Sequence, residues 1–126
     1  MSDTMDKQTY LRKFSRAYKV AALWSSTDYN GEPLDKGRDR DDIHGDAHEA
    51  MDKDCAAFVD EQWEDLRGLD PEQCGHDFWL TRNGHGAGFW DRGLGDVGER
   101  LTAACGWRTK YPEVELYVGD DNMIHQ

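Results

Sequence analysis

The stretch from His76 to Gly93, HDFWLTRNGHGAGFWDRG, constrains this chain more than any other. Two short aromatic runs, built on Phe78 and Trp79 and on Phe89 and Trp90, flank Asn83-Gly84-His85-Gly86. Asn and Gly both accept positive φ, so the chain can reverse between the runs at little cost. Phe78 and Leu80 alternate with Trp79 and Thr81, and Ala87, Phe89 and Asp91 alternate with Gly88 and Trp90. That period of two predicts a β-hairpin over 76–92.

Helical periodicity dominates what precedes it. Tyr10, Leu11, Phe14, Tyr18, Ala21 and Ala22 recur at helical spacing, opposite Lys7, Arg12, Lys13, Arg16 and Lys19. They predict an amphipathic basic helix over 6–24 that packs Phe14 and Tyr18 into the core. Residues 25–45 carry Gly31, Pro33, Gly37 and many Asp, and read as a long loop, either functional or pinned by Tyr29 and Leu34. A second helix is expected over 46–67, capped by Asp46 with Glu49 as its capping-box partner. Ala47, Met51, Cys55, Phe58, Val59 and Leu66 give it an apolar face, and Gly68 a stop. Asp70-Pro71 then opens a polar linker or a short turn of helix as far as Gly75. Beyond the hairpin, a short helix over 94–105, a strand over 114–118, a Gly119–Asn122 turn and an edge strand over 123–125 complete the chain. The order predicts a single α+β domain over 1–126, with a small, largely antiparallel sheet packed against helices.

Charge narrows the function classes. The net charge is −11, distributed as +3 over residues 1–27, −11 over 28–73 and −3 over 74–126. Direct nucleic-acid binding is disfavoured, because it needs a basic footprint. No apolar run approaches a membrane span, and the charged N-terminus lacks a signal-peptide core, so a cytoplasmic protein is expected. Cys55, Cys74 and Cys105 form no C-x-x-C pair and read as reduced, mostly structural thiols.

Four stretches could carry chemistry. GHGAG lacks the Lys-Ser/Thr of a phosphate loop and the full dinucleotide pattern, and a turn explains its glycines. His85, with Arg82, Asp91 and Arg92 around it, could form an acid–base site with cationic clamps, or simply cap turns and pair across strands. His44 and His48 stand i, i+4 among carboxylates, but no H-E-x-x-H follows, so neither a metal nor a cofactor is assigned. Finally, Asp46, Glu49, Asp60, Glu61 and Glu64 line the second helix opposite its apolar face. Carboxylates three and four residues apart lie about 5–6 Å from each other, a spacing that can imitate a nucleic-acid backbone. The bland alternative is an acidic surface that keeps the chain dissolved.

The motif DFWLTRNGHGAGFWDRG, followed by ELYVGDD and preceded by AALWSSTDYNGEPLD and DCAAFVDE, resembles a family of small uncharacterised proteins of bacteriophages and plasmids. The resemblance runs from about Ala21 to Asp121 and implies a genetic setting without a mechanism. Asn122 stands where that family has Gly; both tolerate positive φ, so the turn is expected to survive. The resulting expectation is an acidic accessory protein that acts in the host cytoplasm. It would bind, and could inhibit, a host nucleic-acid-binding or defence complex through a basic surface of that partner, with no nucleic acid or membrane bound directly. The alternative is a small nucleotide- or phosphodiester-acting enzyme or ligand-binding protein, with its site at the 82–92 hairpin.

Overall fold

Helix α1 (Lys7–Ser25) begins at a side-chain cap: the Asp6 carboxylate accepts from the Thr9 backbone N–H at 2.9 Å and from the Thr9 hydroxyl. Its apolar stripe, Tyr10, Phe14, Tyr18, Ala21 and Ala22, is fully buried, as the periodicity predicts. The computed structural model describes residues 5–84, 88–106 and 108–126. Among these the fold is mostly helical, with one two-stranded antiparallel sheet.

The second expected helix is present but broken near its end. Helix α2 (Gly45–Glu61) stops at Gln62, and the single turn α3 (Trp63–Leu66) restarts it. Its cap is His44 rather than Asp46: the His44 ring Nδ1 accepts the Asp46 N–H at 3.1 Å. The loop before it is pinned by Leu34, which is fully buried, while Tyr29 is 93% exposed. A short 3₁₀ turn, Arg40–Asp42, closes that loop with the Asp39/Asp42 capping box.

The hairpin over 76–92 is not formed. Its first arm lies in helix α4 (Pro71–Arg82), and Phe89–Asp91 is a 3₁₀ turn; the His-Gly-Ala tip at 85–87 lies outside the described residues. The helix start is conventional: Asp70 caps the Gln73 N–H and Pro71 occupies the first turn, where its missing N–H costs nothing. What hides the helix from the sequence is burial on almost every side. Cys74, Gly75, Asp77, Phe78, Trp79, Leu80 and Arg82 are all buried, so no polar stripe marks a period of 3.6. The aromatic and Thr residues suit a strand by propensity, and tertiary packing overrides that preference.

Gly75 looks like a helix stop but sits inside α4 for a packing reason. A Cβ there would lie 2.8 Å from the Phe14 carbonyl carbon and nearer still to its oxygen. Helices α1 and α4 therefore meet backbone to backbone, and Phe78 stacks beneath the contact. Its ring lies 5.7 Å from Phe14, 5.3 Å from Tyr18, 4.1 Å from Phe58 and 5.2 Å from Tyr111. The Ser25 hydroxyl at the end of α1 accepts the Trp79 indole N–H at 2.6 Å, which satisfies that buried donor.

Helix α5 (Asp96–Ala103) follows, shorter than the 94–105 expected. The sheet is β1 (Tyr117–Val118) paired with β2 (Ile124–His125), so the strand over 114–118 shrinks to its last two residues and the edge strand is real. Asn122 takes φ 63° in the turn between them, the conformation expected of a glycine replacement. Ile124 is buried and bridges to Ile43 in parallel, which ties the end of the chain to the start of α2. No helix among the described residues is long and apolar enough to cross a membrane. The three thiols are unpaired, and burial pushes Cys74 up to about 11 and Cys105 up to about 12, so all three behave as packing groups.

Gly75→Ala should lower stability by about 3 kcal/mol, because a backbone carbonyl cannot move aside for the methyl group. Chemical denaturation of wild type and variant measures this; a change under about 0.5 kcal/mol would show that the helices can separate freely.

Candidate functional site

Arg82 and Arg92, proposed together from sequence, turn to different partners. Arg82 is buried: its guanidinium donates to Asp54 at 2.8 Å, to the Tyr18 hydroxyl at 3.1 Å and to the Pro112 carbonyl at 2.9 Å. It also lies over the Phe78 and Tyr111 rings at 5.5 and 5.8 Å. This is a structural tie, and the Arg82 side chain is almost wholly buried. Arg92 instead binds the buried Asp77 carboxylate through Nε and Nη2, the shortest contact being 2.8 Å. Asp91 is exposed with no ion pair among the described residues, and His85 lies outside them. Trp79 is buried and Trp90 is 57% exposed, so the two do not wall a common pocket.

The carboxylates expected to meet a partner divide into two groups. Asp60 pairs with Lys7 at 2.8 Å, Glu61 with Lys110 at 2.8 Å and with the Tyr111 hydroxyl at 2.9 Å, and Glu64 with Arg67 at 3.6 Å. On the same helix Asp52 pairs with Lys19 and Asp54 with Arg82. The C-terminal half of the acidic face is thus largely neutralised by the chain's own cations. Asp46 and Glu49 are not: the Asp46 side chain is 92% exposed, 3.9 Å from the His44 ring, and Glu49 makes no ion pair among the described residues.

The free end of that face is where the C-terminus docks. The His44 N–H donates to the Ile124 carbonyl at 2.8 Å, which sets the His125 ring on the His44 ring at 4.6 Å. Tyr117 stacks on the other face of the arrangement, 5.4 Å from His125, and is 54% exposed. Asp121 accepts from His125 Nε2 at 3.0 Å, and that bond holds its carboxyl below the usual range. Tyr117, His125 and His44 therefore form a short ladder of parallel rings, edged by Asp46 and Asp121. Sequence reading missed it because its members lie far apart in the chain; His44 suggested a metal ligand and His125 suggested nothing. His48 is spent on the Arg40 carbonyl at 2.8 Å.

No protein-family model matches the chain, and no curated protein or solved structure is found to match it.

Arg82→Ala should destabilise the fold by about 3 kcal/mol, since it strips Asp54 and Tyr18 of their buried partner. Asp91→Ala should stay within about 0.5 kcal/mol. Equal effects on urea midpoints would contradict the division between tie and surface. Stability should also fall on acidification. Lys110 beside Glu61 and Arg100 beside Asp65 hold both carboxyls below their ordinary values in the folded chain. Their contribution is complete above the unfolded carboxylate range, near pH 4, and is lost as pH falls through the lower folded values. A Glu61→Gln, Asp65→Asn variant should show a flatter acid limb in thermal melts recorded from pH 7 to pH 2.

Proposed function

We propose that this chain is a non-catalytic binding protein whose acidic end engages a basic, arginine-bearing surface of a partner. The observation that carries the reading is the Tyr117–His125–His44 ladder with Asp46 and Asp121 at its edge. A guanidinium is planar, stacks on aromatic faces and pairs with carboxylates, so the arrangement offers it both contacts at once. Glu49 extends the negative rim along α2, while Asp60, Glu61 and Glu64 serve the fold first. Proteins that grip nucleic acids carry arginine-rich surfaces, and those fit the partner class best. The resemblance of the 77–93 and 115–121 motifs to small phage and plasmid proteins supports a setting inside a bacterial host, where such a protein would occupy a nucleic-acid-binding or defence complex.

The test is a titration of the labelled protein with two peptides of equal charge, one arginine-rich and one lysine-rich, followed residue by residue by NMR. The arginine peptide should bind several-fold more tightly, shift Tyr117, His125, His44 and Asp46, and weaken as salt rises, because exposed charges are screened within about 10 Å at 0.1 M. Tyr117→Ala combined with Asp46→Asn should remove the preference while leaving the circular dichroism spectrum intact. Shifts centred on Asp60–Glu64, or equal binding by the double variant, would sink the assignment.

A further inference from the structure

A second site of opposite polarity lies between α1 and α4, beside the aromatic stripe of α1. Lys13, Arg16, Ala17 and Val20 form one stripe of α1 and, with Gln73 and His76 of α4, line an open cavity of about 600 Å³. That size suits a small-molecule ligand. Arg92 reaches the same cavity from beyond the Phe89–Asp91 turn.

The state of the cations is what marks it. The chain has 26 Asp and Glu against 15 Lys and Arg, so a cation can find a carboxylate almost anywhere. Lys7, Lys19, Lys36, Arg38, Arg67, Arg82, Arg92, Arg100 and Lys110 all do. Arg12, Lys13, Arg16, Arg40 and Lys53 make no ion pair among the described residues, and of these Lys13 and Arg16 stand together on a cavity whose rim also carries carboxylates. Two unneutralised cations on one wall favour an anion there.

The opposite wall is built rather than incidental. Asp77, only 1% exposed, takes three hydrogen bonds from Arg92 and a fourth from the Gln73 amide at 3.0 Å. It fixes the Arg92 guanidinium at the cavity while Nη1 makes no hydrogen bond among the described residues. The His76 ring lies against Trp24, 5.4 Å between centres, and its buried Nδ1 has no hydrogen-bond partner among the described residues and lies 3.6 Å from Asp77. With Nδ1 sealed on that side, Nε2 is the nitrogen that can meet a ligand. An orphaned buried polar atom costs about 1–3 kcal/mol, so the ring is held here at the expense of stability.

The two carboxylates of the rim refine the ligand class. Asp70 is engaged as the α4 cap, and Glu72 stands exposed one turn before His76. They repel a second anionic group and accept hydroxyl or amino donors. We infer that the α1–α4 cavity binds a phosphate monoester carried on a hydroxyl-bearing group, as in a sugar phosphate or a nucleoside monophosphate. Lys13, Arg16 and Arg92 would hold the phosphate, with His76 beside it and Glu72 on the hydroxyls. This site is separate from the acidic end and stands or falls without it.

Isothermal titration and NMR with inorganic phosphate, ribose 5-phosphate and AMP test the inference, against sodium chloride of matched ionic strength. Saturable shifts at Lys13, Arg16, Gln73, His76 and Arg92 are expected, with the organic phosphates bound more tightly than the inorganic ion. Lys13→Ala with Arg16→Ala should weaken them at least about tenfold, with the fold intact because both side chains are on the surface. Glu72→Gln should narrow the gap between ribose 5-phosphate and inorganic phosphate and leave the latter no weaker. Shifts reproduced by sodium chloride alone, or affinities unchanged in the Lys13/Arg16 variant, would overturn the site. Tighter binding of a single-stranded oligonucleotide than of AMP, with shifts running along α1 to Arg12 and Lys7, would overturn the small-molecule assignment in favour of nucleic acid.

Discussion

The approach of α1 to α4 at Gly75 is the constraint on which the rest of the molecule depends. Because no Cβ intervenes, the Phe14 backbone rests directly on α4, and the rings one turn further on come within stacking range. Phe78 then serves as a common floor for Phe14, Tyr18, Phe58 and Tyr111, which belong to α1, α2 and the segment after α5. Aromatic pairs in such arrangements add roughly 0.5–1.5 kcal/mol each beyond their buried area. A chain with 37% apolar residues can hold a dense core by this route, since few large rings replace many small aliphatic groups.

Arg82 shows how the same core tolerates a charge. It lies over two of the rings, and its Nε and Nη1 donate to three oxygens: Asp54, Tyr18 and the Pro112 carbonyl. Coulombic attraction and hydrogen bonds to Tyr18 and Asp54 outweigh the cost of desolvation and raise its pKa further. Burial without those partners would cost several kcal/mol. The contact also explains why an arginine that looks like a ligand clamp in the sequence is spent on architecture. It joins the end of α4 to the middle of α2 and to the segment leading towards β1.

Where the sequence was legible, periodicity and caps had a free surface to read against. Helix α1 displays Lys and Arg opposite Tyr10, Phe14 and Tyr18, and α2 displays acids opposite Met51, Cys55 and Phe58, so both were evident. The Gly119–Asn122 turn was evident from its own chemistry. Helix α4 was illegible because burial on almost every side leaves it no continuous polar stripe, and Gly75 inside it imitates a stop. The acidic candidates were half legible: the positions of Asp46, Glu49, Asp60, Glu61 and Glu64 on one helix follow from spacing, but which of them stay free depends on where Lys7, Lys110 and Arg67 arrive. That is tertiary information. The ring ladder and the α1–α4 cavity depend on it completely, since His44 meets His125, and Arg16 faces the same space as Arg92, only after the chain has folded.

In a chain with this excess of carboxylates, the cations are the scarcer and more informative charges. Most are consumed in ties that set helix positions: Lys19 to Asp52, Arg82 to Asp54, Arg100 to Asp65, Lys110 to Glu61. An unpaired acid on such a surface says little, because there are not enough bases to go round. Lys13 and Arg16, which make no ion pair among the described residues, say more because they stand together on one cavity wall. The net charge of −11 does not forbid an anion there. Its long-range repulsion is screened over about 8 Å at physiological salt, while contacts at hydrogen-bond distance are hardly screened at all. Local geometry therefore decides the sign of what binds at each end: rings edged by carboxylates at the C-terminal ladder, and cations steadied by Asp77 between α1 and α4.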